Sequence, residues 1–194
     1  MKNKLIYRTL SVAFAPQISP IYWFSLLYFI YKSAVALLIS VVFASVIELA
    51  LLFAYVKIYN TDFFVLEREK RAPLFVASIT SYAIGLVFLY VFRSGFFFKA
   101  LMLSYVINTI VAALITKYAT KVSVHTWGIS GPATVLGFAY GTYVFMLLLA
   151  VAAIVGYARI ALKAHNAKQV LYALLISVLT TSAVVYLFGV YFDL

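Results

Sequence analysis

Residues 34–56 read AVALLISVVFASVIELALLFAYV, a run of 23 residues in which Glu48 is the one charged side chain. A helix rises about 1.5 Å per residue and the hydrocarbon core of a bilayer is about 30 Å thick, so about 20 consecutive apolar residues make one crossing. Comparable runs lie on both sides of this one. Set against the polar residues that interrupt them, they place spans at about 13–31, 34–58, 74–92, 96–116 and 169–190. The apolar region at about 132–158 is too long for one straight crossing, and Ala139-Tyr140-Gly141-Thr142 divides it; it reads as two short helices. Lys32-Ser33 separates the first span from the second, and Pro16 and Pro20 mark the first as the candidate for a shortened or interface-lying helix, with Tyr22 and Trp23 at headgroup level. The expected fold is all-α: one integral membrane domain over residues 1–194, a polytopic transmembrane bundle of six or seven membrane-embedded helices.

Composition agrees. Hydrophobic residues make up 66% of the chain and charged ones 10%, with a mean hydropathy of +1.09, against about 45–50% and about 25% in ordinary soluble domains. That excludes a separate soluble module. Cysteine is absent, which removes disulfide frameworks and thiolate metal sites. Met1 to Arg8 begins basic and turns apolar like a signal peptide, yet the apolar character runs on past Pro16 and Pro20 with no cleavage-type boundary. The segment is expected to stay attached as an anchor.

The net charge is +10, with 15 Lys and Arg against 5 Asp and Glu. Most basic residues sit between spans, where they mark topology or bind anionic lipid and phosphate groups. Three polar segments stand out, at about 60–73 (NTDFFVLEREKRAP), 117–131 (KYATKVSVHTWGISG) and 158–169 (ARIALKAHNAKQ). A hairpin of spans separates each from the next, so all three emerge on one membrane face. They bring Arg68, Lys70, Arg71, Arg159 and Lys163 together with the only two histidines, His125 and His165. Guanidinium and ammonium groups neutralise phosphate oxygens, and histidine serves near neutral pH as nucleophile or proton donor. Two histidines without an acidic cluster do not complete a zinc or magnesium site. Neither metal nor cofactor is expected, and Asp62, Glu67 and Glu69 read as local partners of Arg68, Lys70 and Arg71.

The spacing from Arg159 to Gln169 resembles the third signature of the type 2 phosphatidic acid phosphatase superfamily, S-R-x5-H-x3-D, with arginine and histidine at matching intervals. Val122-Ser123-Val124-His125 is similar to the second signature, P-S-G-H, and Arg71-Ala72-Pro73 to the end of the first, K-x6-R-P. The resemblance covers about residues 60–190 in the family's order. It implies that His165 attacks phosphorus to give a phosphohistidine and that His125 protonates the departing oxygen. Arg71 and Arg159 would hold the phosphoryl oxygens, with Ser123 or neighbouring backbone N–H groups adding donors. Three departures matter: Phe64 stands where the first signature has lysine, Ala158 replaces serine, and Gln169 replaces the aspartate that orients the nucleophilic histidine. Arg68 or Lys70 would supply the missing charge. Gln169 reaches His165 if both lie on one helix, at i,i+4 spacing.

Glu48 reads either as a functional group or as one paired inside the bundle. Phe96-Phe97-Phe98-Lys99 reads as an interfacial anchor, and Gly128, Gly131 and Gly137 as points of close helix approach. The resemblance implies a metal-independent lipid phosphatase acting on a phosphate or diphosphate whose tail stays in the bilayer; phosphatidate, phosphatidylglycerol phosphate and polyprenyl phosphates or diphosphates all remain open. The alternatives are a non-catalytic lipid-binding relative and a lipid-phosphate transferase. Membrane lipids and the lipid phosphate are the expected partners, nucleic acid is not, and nothing indicates the oligomeric state. The site face carries all basic residues except Lys32, Arg93 and Lys99, so the positive-inside rule points it to the cytoplasm.

Overall fold

The computed structural model describes residues 2–192 except 64 and 66. Nine α-helices are present among the described residues: α1 (Lys2–Ala13), α2 (Ser19–Tyr31), α3 (Ala34–Val41), α4 (Ile47–Tyr59), α5 (Ala72–Val91), α6 (Phe96–Tyr118), α7 (Val124–Tyr140), α8 (Thr142–Ala161) and α9 (Ala167–Phe192). A π-helical turn, Val42–Val46, joins α3 to α4 into one continuous helix over Ala34–Tyr59. Five helices are long and apolar enough to cross a membrane: Ala34–Tyr59, Glu69–Val91, Phe96–Tyr118, Thr142–Ala161 and Ala167–Tyr191. The protein is therefore a helical membrane bundle.

The first expected span divides differently. Residues 2–13 and 19–31 form two helices, and α2, at 13 residues, reaches only about 20 Å. Trp23 faces the inside of the bundle. Its ring is buried, and its indole N–H donates to the Gly128 carbonyl at 3.0 Å, which fastens α2 to α7. Lys32, in the left-handed region at φ 52°, ends α2, and the Ser33 hydroxyl then accepts from the Ala36 N–H to start α3. Phe98 is likewise core rather than anchor: it is fully buried and stacks on Phe24.

The apolar region 132–158 does break, at Gly141, whose φ of 99° suits glycine. Its two helices are not short, however. α7 begins eight residues earlier than the apolar run and has 17 residues, and α8 has 20. Much of the expected polar segment 117–131 is thus helix. Ser123 accounts for this, because its hydroxyl accepts from the Thr126 N–H and caps the new N-terminus. α7 is buried on nearly every face, against α2, α6, α8 and α9.

Bilayer helices gain little from hydrophobic association and rely on close packing and interhelical hydrogen bonds. The close packing expected of Gly137 is found, since a Cβ there would sit 2.7 Å from Phe145 Cβ. Gly156, which the sequence did not single out, is tighter. A Cβ there would lie 2.5 Å from Val170 Cγ1, so the bare backbone lets α8 approach α9 beneath the loop joining them. Hydrogen bonds supply the rest: Trp127 Nε1 donates to Asn108 Oδ1 at 2.7 Å, and Asn108 Nδ2 donates to Thr181 Oγ1 at 2.8 Å, which locks α6, α7 and α9 together.

With α4 to α9 running alternately up and down, the described residues of 60–71, together with 119–123 and 162–166, lie at the same end of the bundle, opposite Arg93. Single cysteines replacing Lys117 and Lys163, both exposed, should react with a membrane-impermeant maleimide from one side of sealed vesicles, and one replacing Arg93 from the other. Labelling of all three from one side would break this topology.

Candidate functional site

The loop between α8 and α9 is built around Arg159. Its carbonyl accepts from the N–H of both Ala164, at 3.0 Å, and His165, at 3.3 Å. Lys163, at φ 56°, makes the reversal. The five-residue interval between arginine and histidine is therefore the length of this turn, which ties the histidine backbone to the arginine backbone. Both side chains are buried, Arg159 at 1% exposure and His165 at 6%.

The next helix starts on a capping box. The Gln169 N–H donates to Asn166 Oδ1 at 2.9 Å, and the Asn166 N–H donates back to Gln169 Oε1 at 3.3 Å. That same Oε1 lies 3.1 Å from His165 Nδ1, and Gln169 Nε2 donates to Thr120 Oγ1 at 3.2 Å. A backbone N–H can only donate, so it fixes the amide with its oxygen towards the ring. Nδ1 must then carry the proton, which leaves the Nε2 lone pair free. Nε2 is buried and has no hydrogen-bond partner among the described residues. The contact is not the expected i,i+4 pair on one helix: His165 precedes α9 and Gln169 lies in its first turn.

Arg71 arrives from the 3₁₀ turn Glu69–Arg71 ahead of α5. Its Nε donates to the Val65 carbonyl at 2.9 Å and one terminal nitrogen to the Val122 carbonyl at 3.3 Å. It is buried at 5% exposure. His125 occupies the first turn of α7, where the helix dipole presents its positive end. It is buried at 3% exposure and lies within electrostatic reach of Arg159, His165 and Arg71. Ser123, expected as a phosphate donor, is committed to the cap: its Oγ lies 3.0 Å from Thr126 Oγ1. Its contribution is the placing of His125.

Three other expected ligands go elsewhere. The Arg68 guanidinium donates to the Thr116 and Lys117 carbonyls, where it covers the end of α6. Lys70 pairs with Glu67 at 2.9 Å on the surface, and the Lys163 side chain is exposed. Phe64 lies outside the described residues. A further cation, which the sequence did not mark, stands near Arg71 and Arg159. Lys121 is half-buried, and its ammonium pKa is lowered, by burial first and then by Arg71 and Arg159. Its signal was its position, four residues before His125 and just outside the helix. Asp62 is the counter-charge that Arg71, Arg159 and Lys121 share.

Among the described residues no three His, Cys, Asp or Glu side chains converge. What converges is cationic, which suits an anion. Comparison with family models, curated proteins and solved structures finds no match to this chain.

Burial first, and the Arg71 charge second, hold the His165 imidazole at a pKa of about 3, although the Gln169 hydrogen bond pulls it up. The unfolded ring takes a proton near pH 6.5. This group therefore costs no stability above about pH 6.5, and stability falls as the pH drops from there towards 3. With only two histidines in the chain, ¹⁵N-histidine NMR in detergent resolves the point. The His165 resonances should keep the Nδ1–H neutral pattern from pH 8 to pH 5, where a water-exposed histidine would be about 97% protonated. A midpoint near 6.5 assigned to His165 would contradict the burial and the tautomer alike.

Proposed function

We propose that the protein is a membrane lipid phosphatase that works without a metal and hydrolyses a lipid phosphate or polyprenyl diphosphate through a phosphohistidine. One observation carries this reading: a buried histidine, held in the Nδ1–H tautomer by the Gln169 oxygen, its Nε2 free and its ring within electrostatic reach of Arg71, Arg159 and Lys121. The resemblance of the three segments to the type 2 phosphatidic acid phosphatase signatures supports it.

In the proposed reaction the two arginines and Lys121 hold the phosphoryl oxygens and stabilise charge as it builds on them. His165 Nε2 attacks phosphorus. A P–N bond forms as the P–O bond to the lipid breaks, and His125, which takes up a proton as the phosphate anion binds beside it, gives that proton to the departing oxygen. His125 then takes a proton from water, whose oxygen adds to phosphorus as the P–N bond breaks; this releases phosphate and restores both rings. Gln169 fixes the tautomer, and the positive end of α7 faces the same anion. By the distribution of basic residues the site opens to the cytoplasm.

Phosphate release from a panel of phosphatidate, phosphatidylglycerol phosphate and polyprenyl phosphates, measured with EDTA present, tests the reading. His165→Ala should lose at least about 10³ in kcat, as removal of a covalent nucleophile does, whereas Gln169→Asp should keep or raise turnover. Arg71→Ala should raise KM and lower kcat together, while Lys163→Ala, on the surface, should change kcat/KM less than about twofold. No release from any member of the panel would leave a lipid-binding protein in place of an enzyme.

A further inference from the structure

Arg71 and His125 line the mouth of a cavity of about 130 Å³ that continues inward between α4, α5, α6 and α7. Most of its wall is apolar, as a channel for a hydrocarbon tail would be. Its inner part is not. Glu48, Ser78 and Tyr105 line it, and Ser78 and Arg71 are seven residues apart on one helical path, which sets their backbones about 10 Å apart along it.

Glu48 is buried at 5% exposure and Tyr105 at 8%. The Ser78 hydroxyl donates to Glu48 Oε2, but neither Glu48 Oε1 nor the Tyr105 hydroxyl has a hydrogen-bond partner among the described residues. A buried polar atom left without a partner costs about 1–3 kcal/mol, and here two from different helices line one cavity. The backbone nearby is specialised as well. The π turn Val42–Val46 ends one residue before Ile47, and the carbonyl of Phe43 within it accepts from the Ser81 hydroxyl at 2.7 Å. Such turns insert an extra residue and re-aim the helix that follows, and they recur at functional sites. This one sets the face on which Glu48 enters the bundle.

We propose that this inner end is a second polar subsite, which takes a hydroxyl carried on the substrate's hydrocarbon body about 10 Å from its phosphate. The preferred substrate is then a hydroxylated lipid phosphate rather than a plain alkyl or polyprenyl one, and this specificity rests on the phosphate-site reading for the outer end alone. A hydroxyl fits better than an ammonium. It accepts from the Oε1–H of a neutral Glu48, whose Oε2 already accepts from Ser78, and donates to the Tyr105 hydroxyl oxygen, without asking Glu48 to hold a charge within the bilayer, where an ionised carboxylate is expensive. The only Lys or Arg along the described lining is Arg71, at the other end.

Calorimetric titration in detergent with octylphosphonate, with and without a terminal hydroxyl, tests this independently of turnover, since neither compound can be hydrolysed. An unpartnered hydroxyl weakens binding to an apolar pocket. The wild type should nevertheless bind the hydroxylated compound at least tenfold more tightly, and Glu48→Leu should reverse the order. Tyr105→Phe keeps the ring packing on Tyr82 and Phe24 and should cut the preference at least threefold; it decides the matter if Glu48→Leu does not fold. Equal or weaker binding of the hydroxylated compound, or a preference that survives the substitutions, would overturn the subsite and leave ordered water there. Failure to bind either phosphonate would remove the anion site and the subsite together. A hydroxyl preference with no turnover on any lipid phosphate would uphold the subsite while ending the hydrolase reading.

Discussion

Like charges gathered at one end of a bundle repel, and the arrangement around Arg159 is organised about that repulsion. Arg71 and Arg159 are both buried, Lys121 stands beside them, and the N-terminus of α7 adds the positive end of its dipole. At an effective dielectric of about 20, two unit charges about 4 Å apart interact by about 4 kcal/mol, and burial also costs each its hydration. The protein answers in part with oxygen. The carbonyls of Val65 and Val122 receive Arg71, and Asp62 supplies a formal charge from the rim. One carboxylate against three cations leaves the cluster positive, and an anion with several oxygens is what completes it.

Such a cluster holds only if the helix ends that present it cannot drift. The seam of Trp127, Asn108 and Thr181 lies below the site and joins the three helices that carry His125, the 119–123 loop and Gln169. A donor left unpaired in hydrocarbon has no water to turn to, so these bonds resist exchange more than their number suggests. Gly156 has the matching role on the other side: with no side chain there, α8 seats against Val170 and holds Arg159 next to the turn that delivers His165. The geometry of the cationic cluster is thus a property of helix packing as much as of loop sequence.

Most spans and their alternation were legible because the long runs approach the thickness of a bilayer and the interruptions, apart from the Gly141 break, are charged. The pairing of Arg159 with His165 was legible too, as a fixed interval that the structure explains by one tight turn. Other features required three dimensions. Arg68, Lys70 and Arg71 stand within four residues of one another in a charged stretch, and nothing in the letters says that one faces the site, one covers a helix end and one pairs with Glu67. Trp23 and Phe98 look like interfacial aromatics by composition, yet their partners, Gly128 and Phe24, are far away in sequence. The early start of α7 was hidden because its first turn is polar, and a polar helix at the buried centre of a membrane protein breaks the rule by which spans are found. Glu48 was recognised as costly, but its bond to Ser78 and its shared cavity with Tyr105 could not be read from one run.

The glutamine at position 169 bears most directly on chemistry. Where an amide replaces the carboxylate of a Ser-His-Asp triad, the loss of about 10⁴ in rate is ascribed to the wrong tautomer, because the amide can present its NH₂ to the ring. Here that inversion is blocked. The Asn166 N–H would lose its acceptor and meet another donor, and Thr120 would lose the N–H it accepts. In the proposed reaction, what glutamine gives up relative to aspartate is therefore confined to stabilisation of the positive charge that would develop on His165. An aspartate there would set a second carboxylate beside Asp62 near Arg71, Arg159 and Lys121 and would raise the proton affinity of the His165 ring.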